Sequence, residues 1–334
     1  MELFISHRSA LQYWRKQSTV RDIKARPMRR KSPPSVVPDP ALLLRGYCLG
    51  LSLPLDVMVS TQNAKRRLAG AYIHVFSSPM PDGCFVDVGE GVYVASPEFI
   101  FILMARELDL VRLIELGYGL CGTYFQREDE SLAASQSLSR RSLRDRPRLT
   151  SRKKLLAFIS RMEGVPGKNR ALRALRFMAD GSASHMETKL TMLLALPNLL
   201  GGYALPMPEL NAEVVPPKSV RKSLSQSAYF CDLYWREAEI AVEYDSDKHH
   251  LGSGDIAKDA IKRAALALSD TFVITLTKRQ VYSSAELERV VRLIAKSIGY
   301  RLRYRECLKF TDTHQYLREV LLFSSDAEGW EKIL

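Results

Sequence analysis

The chain has 334 residues, enough for two domains of ordinary size, each with its own core. No apolar run in it approaches the length of a membrane span, so a membrane partner is not expected. The 49 Lys and Arg against 37 Asp and Glu leave a net charge of +12, which points to a polyanionic partner, most often nucleic acid, or to a solvated basic surface. The five cysteines (Cys48, Cys84, Cys121, Cys231, Cys307) are odd in number and lack CxxC spacing. That argues against a disulfide framework or a cysteine zinc site and fits a reducing cytoplasm.

Residues 1–40 read as a basic N-terminal arm with Arg15-Lys16 and Arg29-Arg30-Lys31, ending in Pro33-Pro34. Ser6 to Gln17 is compatible with a short helix. The rest is either a disordered tail or a phosphate-binding arm, and its Arg-rich composition also imitates an organelle transit peptide.

Residues 41–125 read as a small α/β or winged-helix-like domain. Strands are expected at Leu55 to Val59, Ala71 to Phe76 and Cys84 to Val88, with a turn at Pro81-Asp82-Gly83. Ser96-Pro97 is a good helix start, serine as N-cap and proline at the first helical position. One helix is expected from Phe99 to about Leu116, stopped by Gly117. Its face of Phe99, Leu103, Arg106, Leu110 and Leu113 is mostly apolar and reads as core. This strand-then-helix pattern is similar to the middle region of AbiEi-type antitoxins, a resemblance that carries no chemistry. No catalytic constellation is read in this part.

Residues 126–154 read as a linker with a basic cluster that includes Arg140, Arg141 and Arg144. Residues 155–180 give one or two helices. There Arg170, Arg173 and Arg176 recur every third residue, opposite Leu172, Leu175 and Phe177. These six arginines are the candidate phosphate contacts, with a solvated basic surface as the alternative.

Ser184 to Leu196 is a helix with a capping box, Ser184 at the N-cap and Glu187 three residues on. A Pro- and Ser-rich stretch follows, with a short strand at Glu213-Val214-Val215. Tyr229 to Asp245 reads as a β-hairpin turning at Arg236-Glu237. With an even number of loop residues, Trp235 pairs with Ala238, Asp232 with Ala241 and Phe230 with Glu243. Asp232, Glu243 and Asp245 then share one face. An odd loop would put Asp232 on the other side. Helices are expected from Asp255 to Leu268 and from Ser284 to Ile298, a strand at Thr271 to Leu276, and a C-terminal tail over 311–334.

Three carboxylates on one face of an apolar hairpin repel one another and lose water. A hard divalent cation offsets both costs. His249 and His250 follow directly and could position a water or take up a proton. Asp232, the string Val242-Glu243-Tyr244-Asp245 and His249-His250 together resemble the PD-(D/E)xK nuclease superfamily, in its DUF559-type branch related to very-short-patch repair endonucleases. The resemblance covers about the last half of the chain. It implies a restriction-endonuclease-like αβββαβ core within 155–310, with Mg2+ or Mn2+ held by Asp232, Glu243 and Asp245, and Glu187 brought to the metal by the first helix. The lysine of the motif, which orients the attacking water, is replaced here by Asp245. His249, His250, Lys248 and Lys258 are the candidate substitutes, and the two lysines are also candidate nucleic-acid contacts. The expected function is a metal-dependent endonuclease acting on nucleic acid, with DNA as the expected form. The alternatives are a nucleic-acid-binding regulator or antitoxin-like protein that keeps the fold without cleavage, and a protein-interaction module.

Overall fold

The computed structural model describes residues 2–16, 32–124, 147–221, 226–245, 253–304 and 308–323, with backbone alone for 220 and 253–259. Arg140, Arg141, Arg144, Lys248, His249 and His250 lie outside the described residues, as does the side chain of Lys258. The protein is α/β, with two mixed sheets in two compact units. One unit ends at Met178 and the other begins at Ala179. Among the described residues no helix is long and apolar enough to cross a membrane.

The first unit is built around strand β1 (Leu3–Ile5), inside the span expected to be a basic arm. Its three residues are 0% exposed. It is the central strand of a five-stranded sheet, parallel to β5 (Val92–Ala95) and antiparallel to β2 (Leu55–Val59). β3 (Ala71–Val75) runs parallel to β2 at one edge, and β4 (Phe85–Gly89) pairs with β5 at the other. Helix α1 (His7–Arg15) follows at once, and Trp14 Nε1 donates to Ala95 O at 2.7 Å. A three-residue apolar strand is too short for a periodicity argument, so the surrounding basic residues dominated the expectation. Helix α2 (Pro40–Cys48) precedes β2. The α/β alternative for this region is therefore the one found.

The single helix expected from Phe99 is two helices, α3 (Pro97–Glu107) and α4 (Leu110–Cys121). Ser96 caps α3 as expected, accepting from Phe99 N at 3.3 Å. Leu108 is extended, and Asp109 starts a new helix by accepting from Arg112 N at 3.0 Å. Gly117 is not a stop but an interior position of α4. A Cβ there would collide with Met178 and press on Phe101, so glycine permits the close approach.

Helices α5 (Arg152–Ser160) and α6 (Lys168–Leu175) belong to this unit, which moves the domain boundary from the expected 154/155 to 178/179. Arg170, a candidate phosphate contact, is one reason. Its Nη1 donates to Ala105 O at 3.1 Å and Leu108 O at 2.8 Å, satisfying carbonyls at the end of α3. Arg173 and Arg176 are exposed on the same helix.

The second unit opens with α7 (His185–Ala195) and continues through β6 (Glu209–Val214), the short α8 (Lys218–Arg221), β7 (Tyr229–Trp235), β8 (Ile240–Asp245), α9 (Ser253–Ala267) and β9 (Phe272–Thr277). The four strands lie in chain order, β8–β9 parallel and the rest antiparallel. Strand β6 begins four residues before the stretch read as the first strand. Ala265 and Leu266 of α9 are buried with Ala212, Val214, Tyr229, Cys231, Tyr234 and Ala241. α10 (Lys278–Tyr282) and α11 (Ser284–Ser297) come next, the latter capped by Ser283 rather than Ser284. The expected tail carries a further helix, α12 (Phe310–Arg318). His314 Nδ1 lies 2.7 Å from Gly201 O, and Arg318 donates to Val281 O and Tyr282 O at 3.2 and 2.8 Å, so this segment is part of the unit's interior.

A buried central strand and a solvated arm respond differently to truncation. Phe4 packs edge-on against Phe85 at 4.9 Å and lies beside Tyr93 at 4.8 Å. Phe4→Ala is expected to cost about 3–5 kcal/mol in urea denaturation of the full chain, as for other buried aromatic truncations. A change within about 0.5 kcal/mol, the range of surface substitutions, would restore the arm.

Candidate acidic site

The hairpin of β7 and β8 sets the site. Its register is Leu233 to Val242, Tyr234 to Ala241 and Trp235 to Ile240. Four residues, 236–239, therefore form the turn, where two were expected. Arg236–Ala238 make one 3-10 turn, and Glu239 takes a left-handed φ of 54° to re-enter the sheet. The loop count stays even, and the pairing shifts by two. The ladder ends at Leu233 to Val242, one pair short of Asp232 and Glu243, and the nearness of these two shows in the charge of Asp232 acting on Glu243. The Asp232 carboxylate accepts from Tyr244 N at 2.8 Å, which fastens it across the two strands.

Glu187 reaches the same acids from α7. Ser184 Oγ accepts from Glu187 N at 3.1 Å, the N-cap bond expected. The Glu187 carboxylate accepts from Ala183 N at 2.7 Å, one residue before the cap, instead of closing the box on Ser184 N. Only 6% of Glu187 is exposed. Burial, then the charge of Asp232 and, more weakly, that of Glu243, push its carboxyl up to about 8, against the Ala183 and Ser184 hydrogen bonds. Glu243 is pushed up to about 7 by burial and by Asp232, with Lys262 acting the other way. Glu187, Asp232 and Glu243 are thus brought within electrostatic reach of one another.

Lys262 of α9 is the residue the sequence reading missed. Its Nζ lies 2.6 Å from Glu243 Oε2. Burial works to lower its ammonium, but the attraction and hydrogen bond of Glu243, joined by Asp232, outweigh that and raise it. The signal available was one helical turn away: Lys258 was considered, and Lys262 follows it at i+4 on the same face. Glu243 Oε1 is buried and meets no donor in good hydrogen-bond geometry, although the Asp232 backbone N–H and the Cys231 thiol lie close enough to act on the carboxylate.

The remaining candidates divide. Asp245 ends β8, paired with Thr277 of β9. Strand alternation keeps it on the face of Glu243, about 7 Å along the strand. Arg173 and Arg176 belong to the first unit, not to the domain that carries the acids. Cys231, next to Asp232, has its thiol pushed up to about 12 by burial and by Glu243, which rules it out as a nucleophile near neutral pH. The three acids are a looser group than a closed ligand cage, because one ligand atom from each does not fall within 4.8 Å of the other two. Two of them suffice for a hard cation: Mg2+ characteristically takes one or two carboxylates and keeps its waters. The buried second oxygen of Glu243 and the repulsion of Asp232 on both glutamates fit such an ion.

Comparison with protein-family models, with curated proteins and with solved structures finds no match. The site is therefore read from its own chemistry.

Glu187 and Glu243 hold protons in the fold above the 4.5 of a free glutamate. Between that value and about 8 the unfolded chain binds fewer protons than the folded one, so stability is full on the acid side and falls as pH rises through neutrality. In chelator, thermal unfolding is expected at a lower temperature near about pH 8 than near about pH 5.5. Glu187→Gln should flatten the difference, and an unchanged slope would show that the two acids are solvated.

Proposed function

We propose that the second unit is a Mg2+-dependent (or Mn2+-dependent) endonuclease that hydrolyses phosphodiester bonds of DNA, built on a restriction-endonuclease-like core. One observation carries this reading. Glu243, held on a hairpin beside Asp232 and Glu187, has one oxygen on Lys262 and the other buried, with only the Asp232 backbone N–H and the Cys231 thiol to act on it. The element order from α7 to β9, α-β-β-β-α-β with the small α8 inserted, supports it as the order that the resemblance implies.

Asp232 and Glu243 would hold the ion, with Glu187 and Asp245 as further oxygen donors. A bound Mg2+ supplies a water of lowered pKa and neutralises charge on the phosphoryl oxygens. Lys262 does the work of the lysine missing after Glu243. Its ammonium, fixed by Glu243 Oε2, has two further N–H donors to orient the attacking water and to meet developing negative charge. Tyr244 N keeps the Asp232 carboxylate turned across the hairpin, so that its orientation does not depend on the ion. Arg173 and Arg176 are exposed and remain candidate phosphate contacts, which position a backbone without reading sequence.

Lys262 also favours the second reading, a nucleic-acid-binding regulator without cleavage. A lysine that already neutralises Glu243 lets the acids stay buried with no ion at all.

Supercoiled plasmid incubated with the full-length protein separates the two. Cleavage is expected only with Mg2+ or Mn2+, and Glu243→Gln should abolish it while salt-sensitive DNA binding persists. Lys262→Met is expected to lower the rate by on the order of a hundredfold, the scale of a lost proton-handling or orienting group. Binding without cleavage in any divalent ion would select the regulator, and neither binding nor cleavage would remove both readings.

A further inference from the structure

The first unit holds a second set of metal-ligating side chains, unrelated to the acids of the second. His7 opens α1, His74 lies on the edge strand β3, and Glu107 ends α3. One ligand atom from each lies within 4.8 Å of the other two, and among the described residues no other trio of His, Cys, Asp or Glu does this. His7 Nε2 stands 3.4 Å from Glu107 Oε1. Two donors each about 2.0–2.1 Å from a tetrahedral ion have that separation.

The partners of these groups also suit an ion. His7 Nδ1 lies 2.9 Å from Ser6 Oγ, which leaves Nε2 facing the carboxylate. His74 Nε2 lies 2.7 Å from Asp56 Oδ1, which leaves Nδ1. The buried Asp56 is itself anchored, its Oδ2 accepting from Ser9 N at 3.2 Å and from Ser9 Oγ at 3.4 Å. A ligating histidine characteristically has its second nitrogen held in this way, by a carboxylate or another oxygen. Glu107 Oε2 is buried and has no hydrogen-bond partner. His7 takes a φ of 43°, a left-handed conformation that a non-glycine residue keeps where its surroundings impose it.

We propose that His7, His74 and Glu107 form a binding site for one divalent transition-metal ion, zinc foremost, with Asp56 as the outer partner that orients His74. Two imidazoles and one carboxylate select zinc, iron, cobalt or manganese over magnesium and calcium, and leave a coordination position for water. The two rings are stacked with centroids 3.8 Å apart and planes 20° apart, and because an imidazole binds a metal in its own plane, both could ligate one ion only after tilting apart. The side chains of His74 and Glu107, 25% and 23% exposed against 8% for His7, provide the entry side and the room to tilt. The proposal is independent of the function assigned to the second unit.

Chelator-stripped full-length protein, titrated with Zn2+ calorimetrically in excess Mg2+, tests it. One Zn2+ per chain is expected, with a higher unfolding temperature in Zn2+. Glu107→Gln and His74→Gln, each checked for folding by circular dichroism, should bind at least about tenfold more weakly, and Asp56→Asn about tenfold to a hundredfold more weakly. Glu243→Gln and Cys48→Ser should bind as the parent does. X-ray absorption of the Zn2+-loaded parent protein, which needs no variant to fold, should show nitrogen and oxygen donors only. Absence of Zn2+ binding, sulfur in the coordination shell, or unchanged binding in folded Glu107→Gln and His74→Gln would overturn the proposal.

Discussion

The second unit turns on how three acids share little water. Glu187 comes from a helix and Asp232 and Glu243 from the hairpin; Asp232 raises the cost of ionising both glutamates, and Glu243 adds to that of Glu187. A fold can meet that cost by protonating an acid, by pairing it, or by admitting a cation. Lys262, 2.6 Å from Glu243, is the pairing solution, and it reaches only one oxygen of the set. Glu243 Oε1 stays buried, with only the Asp232 backbone N–H and the Cys231 thiol at hand. The site thus stands between an internal cation that half-satisfies it and an external one that would complete it. Deleting one partner of such a buried pair strands the other, which makes Lys262 as much a part of the site as the acids.

The positions of the acids were legible from the sequence because they depend on parity alone. Alternation along Ile240 to Asp245 and an even loop were enough to put Asp232 and Glu243 on one face. The loop turned out to be four residues instead of two, and Asp232 still comes close enough to Glu243 for its charge to act there. What parity cannot give is the register, which the left-handed Glu239 sets, a conformation no residue type there announces. Lys262 was illegible for a related reason. Helical spacing shows that Lys258 and Lys262 share a face, but which turn of α9 lies over Glu243 depends on how Ala265 and Leu266 seat the helix on the sheet. That is a packing outcome, and it has no sequence signature of its own.

The first unit shows the opposite failure. Its organising strand is three residues long and sits at the chain's start, followed within the next fifteen residues by Arg8, Arg15 and Lys16. Average composition outvoted three buried side chains. The split between α3 and α4 was visible in principle, since Asp109 is a good N-cap, but the apolar residues on either side of it continue one helical stripe. Glycine usually ends helices, whereas Gly117 lies inside α4, where its missing side chain lets Met178 and Phe101 approach closely. Local rules identify the residue as special without saying which of its properties is used.

The donor sets of the two units differ in a way that bears on both readings. The second unit offers carboxylates and one ammonium, a set that suits a hard, hydrated ion exchanging with solvent. The first offers two imidazoles and a carboxylate whose outer partners, Ser6 and Asp56, are buried and fixed by backbone and serine contacts. Such a set holds a softer ion for long periods and ties β2, β3, α1 and α3 together through it. Because β1 pairs with β2 and leads directly into α1, metal at His7, His74 and Glu107 would reinforce one side of the first unit's sheet. The same side chains without metal leave a carboxylate oxygen unsatisfied beside an imidazole nitrogen. A fold that keeps such a pair next to its central strand, on a residue with a positive φ, gives up local stability at that point; Arg8 and Arg106 offset part of the Glu107 charge, and a bound ion would engage all three side chains at once.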